Sequence, residues 1–85
     1  EAQFELAETR RLQGDFRTAA TEYLKVAILY TDAEWAARAQ YAAGVCYEQA
    51  KAIEDAVKAY RVVVEKYKGQ PEWSKKAEER LRALE

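Results

Sequence analysis

Three observations predict an all-α protein built from stacked antiparallel helix pairs. Only three Gly and one Pro interrupt 85 residues that are otherwise rich in the strong helix formers Ala, Glu, Lys, Arg, Leu and Gln. Apolar residues recur at steps of three and four, as at Ile53, Ala56, Val57, Tyr60, Val63, Val64 and Tyr67. That period is one face of a helix, so even the β-branched run "RVVVEKY" reads as helix rather than strand. The chain also matches itself when slid by 37 residues: Ala2, Gln3, Ala19, Tyr23, Val26 and Tyr30 fall on Ala39, Gln40, Ala56, Tyr60, Val63 and Tyr67. Phe4 meets Tyr41, Ala7 meets Gly44 and Phe16 meets Ile53. A single helix pair cannot bury its own apolar face, so units of this kind stack.

Five helices follow in order, over 2–13, 16–30, 33–50, 53–68 and 72–84. Gly14 in "LQGDF" ends the first, and Asp15 is placed to cap the second. Thr31 with Glu34 forms a capping box for the third, with Asp32 as the competing cap. The break near Lys51 carries no Gly or Pro, and one continuous helix over 33–68 is the alternative there. The repeat demands a turn at that place and decides against it. Gly69 and Pro71 in "YKGQPEW" separate the last two helices, with Pro71 at a first-turn position where its missing N–H costs nothing.

The only two tryptophans, Trp35 and Trp73, each follow a Glu and stand 38 residues apart. Each falls in the first turn of a helix that opens a pair. They are read as markers of the same structural joint, packed over the preceding helix near Tyr30 and Tyr67, rather than as ligand-stacking platforms. Tyr23 and Tyr30, like Tyr60 and Tyr67, are seven apart and read as stacked core residues whose phenol ends reach the surface. Gly44, matched by Ala7, is placed at the crossing point of its own pair.

Composition narrows the function. Net charge is −1, with 14 basic and 15 acidic residues interspersed, so no electrostatic footprint for nucleic acid or an anionic membrane is expected. No apolar run approaches the roughly 20 residues that span a bilayer. His is absent, Ser74 is the one serine, and three scattered Gly cannot form a phosphate-binding loop. Most carboxylates have a Lys or Arg three or four residues away, and Lys75, Lys76, Glu78, Glu79, Arg80 and Arg82 read as a solvated face. Cys46 lies mid-helix with no electropositive neighbour in sequence, as a buried structural thiol does. No catalysis, cofactor or metal is expected, and nothing in the sequence sets the compartment.

The second unit reads Ala43-Gly44-x2-Tyr47, then Ala56-x3-Tyr60-x2-Val63; the first reads Leu6-Ala7-x2-Arg10, then Ala19-x3-Tyr23-x2-Val26. This pattern resembles the tetratricopeptide repeat family, with a departure at Arg10, where that family has an aromatic. The usual unit is 34 residues and these are 37 to 38. In that length, and in the spacing of Tyr30, Trp35, Tyr41, Gly44, Cys46 and Tyr47, they look like the repeats of bacterial cell-envelope assembly and Tol-associated proteins. The resemblance implies a right-handed α-α superhelix: unit one over 1–32, unit two over 33–70 and a final capping helix over 71–85, together one domain. It implies a protein–protein interaction scaffold that takes a peptide or helix of its partner in a concave groove lined by the first helix of each pair. Position by position, that groove is Phe4, Glu8, Arg11, Arg38, Tyr41, Val45, Glu48, Lys76 and Glu79. Chaperone-binding members hold a C-terminal carboxylate with a Lys/Asn clamp; Phe4, Glu8, Tyr41 and Val45 stand at those positions here, which puts that function in doubt.

The alternative is a structural spacer or oligomerisation segment of a longer array. Ile28 and Leu29 correspond to Glu65 and Lys66, so with Leu24 they are a candidate apolar patch. Residue 1 aligns with Arg38, so the first helix is expected to lack its opening turn, the chain to be an excerpt of a longer protein, and the bared flank to make a two-fold dimer.

Overall fold

A computed structural model describes residues 2–29 and 32–84, with side chains from Phe4 onward in the first stretch. Among the described residues there are five helices and no strand: α1 (Ala2–Leu12), α2 (Phe16–Leu29), α3 (Ala33–Gln49), α4 (Ile53–Lys66) and α5 (Pro71–Leu84). Each helix packs on its neighbours in sequence, and α3 also reaches α5. Cα extents are 29 × 28 × 15 Å, a slab of paired helices.

The turns within the two helix pairs are built alike. After α1, the Gly14 amide donates to Arg11 O and the Asp15 amide to Arg10 O; after α3, Lys51 donates to Glu48 O and Ala52 to Tyr47 O. Both are Schellman closures, which need a left-handed residue just past the helix. Gly14 supplies it at φ 84° and Lys51, 37 positions on, at φ 66°. The turn at Lys51 therefore forms without glycine, and α3 and α4 are separate helices. Asp15 precedes α2, its carbonyl accepting the Ala19 amide. The N-cap of α3 is Asp32, whose side chain accepts the Glu34 amide at 2.9 Å. Thr31 and its expected capping box lie outside the described residues, as does Tyr30.

Alanine fills most buried positions, which lets the helices approach closely. Phe4, Ala7, Ala19, Ala20, Tyr23, Val26, Ala39, Ala43 and Cys46 form the core among α1, α2 and α3. Ala56, Tyr60, Val63 and Ala77 form a second one, covered by Tyr41, Val45, Tyr47 and Trp73. Gly44 sits where α3 crosses α4: a Cβ there would lie 2.6 Å from Tyr60 Cε1. The expectation that phenol ends reach the surface is corrected, since Tyr23 and Tyr60 are fully enclosed and Tyr67 nearly so. The Tyr60 hydroxyl donates to Glu48 inside the fold, which removes its need for water. Cys46 is buried and its thiol is pushed up to about 11, first by burial, with the charge of Arg11 opposing.

Ile28 and Leu29 are 81% and 64% exposed. Leu24 does not complete a bare patch with them: it is half buried against the first core and lines a separate cleft with Gln40, Tyr47 and Val62.

Candidate functional site

The face shared by α1, α3 and α5 carries a stack of rings that occurs twice. Trp35 meets Phe4 edge to face at 5.4 Å and 83°, and Phe4 meets Tyr23 at 5.4 Å and 73°. One unit on, Trp73 meets Tyr41 at 5.7 Å and 44°, and Tyr41 meets Tyr60 at 5.5 Å and 49°. Each stack runs from the opening turn of one helix, across the first helix of the preceding pair, to the second helix of that pair. Ring pairs of this geometry contribute about 0.5–1.5 kcal/mol each beyond their burial. A cation covers each tryptophan. The Arg38 guanidinium lies 5.3 Å from Trp35 and 5.1 Å from Phe4, and Lys76 Nζ lies 4.7 Å from Trp73. Trp35 thus packs on Phe4. Trp73 packs on Tyr41 and against the cluster of Ala36, Ala37 and Tyr67. The repeated Glu-Trp marks a joint.

Between the stacks lies a groove of about 220 Å³, lined by Phe4, Glu8 and Arg11 from α1, Tyr23 from α2, Arg38, Tyr41, Ala42 and Val45 from α3, and Trp73 from α5. Helical spacing explains the set: Phe4, Glu8 and Arg11, like Arg38, Tyr41 and Val45, stand three and four apart on one face. Phe4 is buried and Tyr41 half buried, so Tyr41 does not point away from the core as a free groove residue would. Burial pushes the Tyr41 phenol up, with Arg80 opposing and Glu48 and Glu79 adding. Burial likewise raises Tyr23, while the hydrogen bond and charge of Arg11 favour its phenolate and offset part of that rise.

Glu48 has a different setting. Its carboxylate accepts the Tyr60 hydroxyl at 2.5 Å and both Nε (3.0 Å) and Nη2 of Arg80, a bidentate pair from α5 to α3. The Arg80 bond is the main reason that the Glu48 carboxyl is held below its usual range; burial opposes it and Tyr60 assists. Burial, then Glu48, drives the Tyr60 phenol far up. Arg80 therefore leaves the solvated face that its sequence neighbours suggest. On that face Lys76 pairs with Glu72 at 3.7 Å instead. Glu48, Lys76 and Glu79 do not line the groove with the other six expected residues.

Sequence reasoning missed Tyr23, Ala42, Trp73 and Arg80. For Trp73 and Arg80, both on α5, a signal existed: the offset of 38 that joins Trp35 to Trp73 also joins Arg38 to Lys76 and Ala42 to Arg80. Among the described residues no cluster of acidic, His or Cys side chains is placed to hold a metal ion, and no helix is long and apolar enough to cross a membrane.

Helix pairs that repeat their packing ring for ring define the class, an all-α helical-repeat protein. Residues 38–69, most of α3 with all of α4, match the family model described as tetratricopeptide repeat, so this stretch carries such a repeat. No curated protein and no solved structure matches the chain.

Proposed function

We propose that this chain is a non-catalytic scaffold that binds a peptide or helix of a protein partner in the groove between α1 and α3. The groove's lining carries this reading: aromatic and aliphatic walls offer apolar area, and Glu8, Arg11 and Arg38 offer charges of both signs that fix orientation. Tetratricopeptide repeats generally mediate protein–protein contacts, which agrees with it. On this reading the chain is one domain of two units and a final helix. Its 37- to 38-residue spacing supports a relation to the bacterial cell-envelope and Tol-associated repeats. A random peptide library displayed against the whole chain tests the proposal, with the binding footprint mapped by amide chemical shifts. Shifts on α1 and α3 that Arg38→Ala weakens support the groove; Arg38 is exposed, so its loss spares the core. A footprint confined to α2 and α4 overturns it.

A second reading, self-association or a spacer role in a longer array, rests on Ile28 and Leu29, exposed where the next unit has Glu65 and Lys66. Sedimentation across a concentration series decides it. Dimers that Ile28→Glu dissolves support it, and a monomer at several hundred micromolar overturns it.

A further inference from the structure

The internal repeat turns the groove into a question about one missing side chain. In the α3–α4–α5 half, Arg80 of α5 reaches Glu48 of α3 and Tyr60 of α4. In the α1–α2–α3 half, Tyr23 stands for Tyr60, Arg11 for Glu48 and Ala42 for Arg80. Alignment by burial agrees: Ala39 and Ala77, one turn before Ala42 and Arg80, are both fully enclosed, as are Ala19 and Ala56, and Val26 and Val63. Ala42 stops at Cβ, and the groove opens where the long side chain would lie, with Arg11 and Tyr23 on its wall. The charge at that wall is also reversed.

Building on the groove reading, we infer that this cleft takes a carboxylate side chain from the partner, held by Arg11 beside the Tyr23 hydroxyl, in the place that the chain fills for itself with Arg80 one unit on. The occupant is an Asp or Glu next to an apolar residue. Its carboxylate meets Arg11, for which no counter-charge within 4 Å is found among the described residues, and its apolar neighbour meets Tyr41, Val45 and Trp73. A guanidinium presents a fork that matches a carboxylate, so the pair repeats the Glu48–Arg80 chemistry with donor and acceptor exchanged. Glu8, one turn earlier on α1 where the next unit has Val45, disfavours a second acid there. The site thus selects a single acidic residue rather than an acidic run.

The probes are N-acetyl-Phe-Glu-amide and its Gln and Lys counterparts, titrated into the whole chain and followed by the amide shifts of Arg11, Ala42 and Val45 and the indole N–H of Trp73. The Glu probe is expected to bind at least tenfold more tightly than Gln, and Lys weakest of all. Arg11→Gln should bring Glu and Gln together. Ala42→Glu should place a carboxylate on Arg11 from within, abolish binding of the Glu probe and leave helicity intact. Equal binding of all three probes, preference for Lys, no shift with any of them, or undiminished binding to a folded Ala42→Glu variant would each overturn the carboxylate assignment. The groove itself stands or falls separately, by the footprint of library-selected peptides.

Discussion

The two halves of this molecule share a ring stack and differ in how its edge is finished. Around α4, the α3–α5 edge is closed by Arg80 on Glu48 and Tyr60, and Gly44 lets the Tyr60 ring lie against the α3 backbone. Around α2, the α1–α3 edge is open at Ala42, and Ala7 rather than glycine stands at the crossing. The same ring stack therefore has an edge closed by Arg80 in one half and open at Ala42 in the other. At the matched positions, Arg80, Glu48 and Gly44 of one half stand against Ala42, Arg11 and Ala7 of the other.

The most direct way to break the comparison is at the crossing. Gly44→Leu drives a branched side chain into the buried Tyr60 ring, and overpacking of that kind costs about 3 kcal/mol at the upper end. For a chain of this size the melting temperature should fall by more than about 10 °C. Gly44→Ala should lose less, because a gain of about 1 kcal/mol in helix propensity offsets part of the clash. Ala7→Gly should lose about 1 kcal/mol, since its Cβ is already accommodated. Calorimetry of the three variants ranks the crossings; an unshifted Gly44→Leu would mean that Tyr60 has room to move.

Next comes the polar closure. Arg80→Ala leaves Glu48, 17% exposed, without its bidentate partner, while Arg80 itself is 43% exposed and screened by water. A loss of about 1–2 kcal/mol is expected, at the low end of values for charged hydrogen bonds. The pH dependence sharpens it. The Glu48 carboxyl is held lower in the fold than in the unfolded chain, so its contribution is present above about pH 4.3 and is lost as pH falls through the lower folded value. Glu48→Gln should flatten that acid limb in urea melts. An acid limb equally steep in Glu48→Gln would assign it to other carboxylates. Cys46 acts at the opposite end: with its thiol raised to about 11, its contribution is present below about pH 8.5 and fades as pH rises toward 11. Alkylation of Cys46 at pH 8 should follow global unfolding, and labelling of the folded chain would contradict its burial.

The smallest effect is at the matched turns. Lys51 holds φ 66° with a Cβ, at a cost of about 1 kcal/mol, and Gly14 holds φ 84° without one. Lys51→Gly should stabilise by up to about 1 kcal/mol and Gly14→Ala destabilise by a similar amount, both read from denaturant midpoints. A loss on Lys51→Gly would show that the lysine side chain contributes more than its backbone strain removes.

Local signals were enough for the helices. Gly14 and Pro71 mark two of the breaks, and steps of three and four from Ile53 to Tyr67 mark a helix despite its valines. Lys51 needed the repeat, because a left-handed lysine leaves no mark in composition. Six residues that line the cleft, Phe4, Glu8, Arg11, Arg38, Tyr41 and Val45, were among those the tetratricopeptide resemblance implied position by position. The sequence by itself determined the five helices, the two-fold repetition and the small residues at the crossings, because period, turn chemistry and side-chain size act over a few neighbours. Only the tertiary structure decided that Arg80 belongs to Glu48 and that Ala42 leaves a cleft beside Arg11. Residues 32 apart meet there through the angle between packed helices, and no local pattern carries that angle.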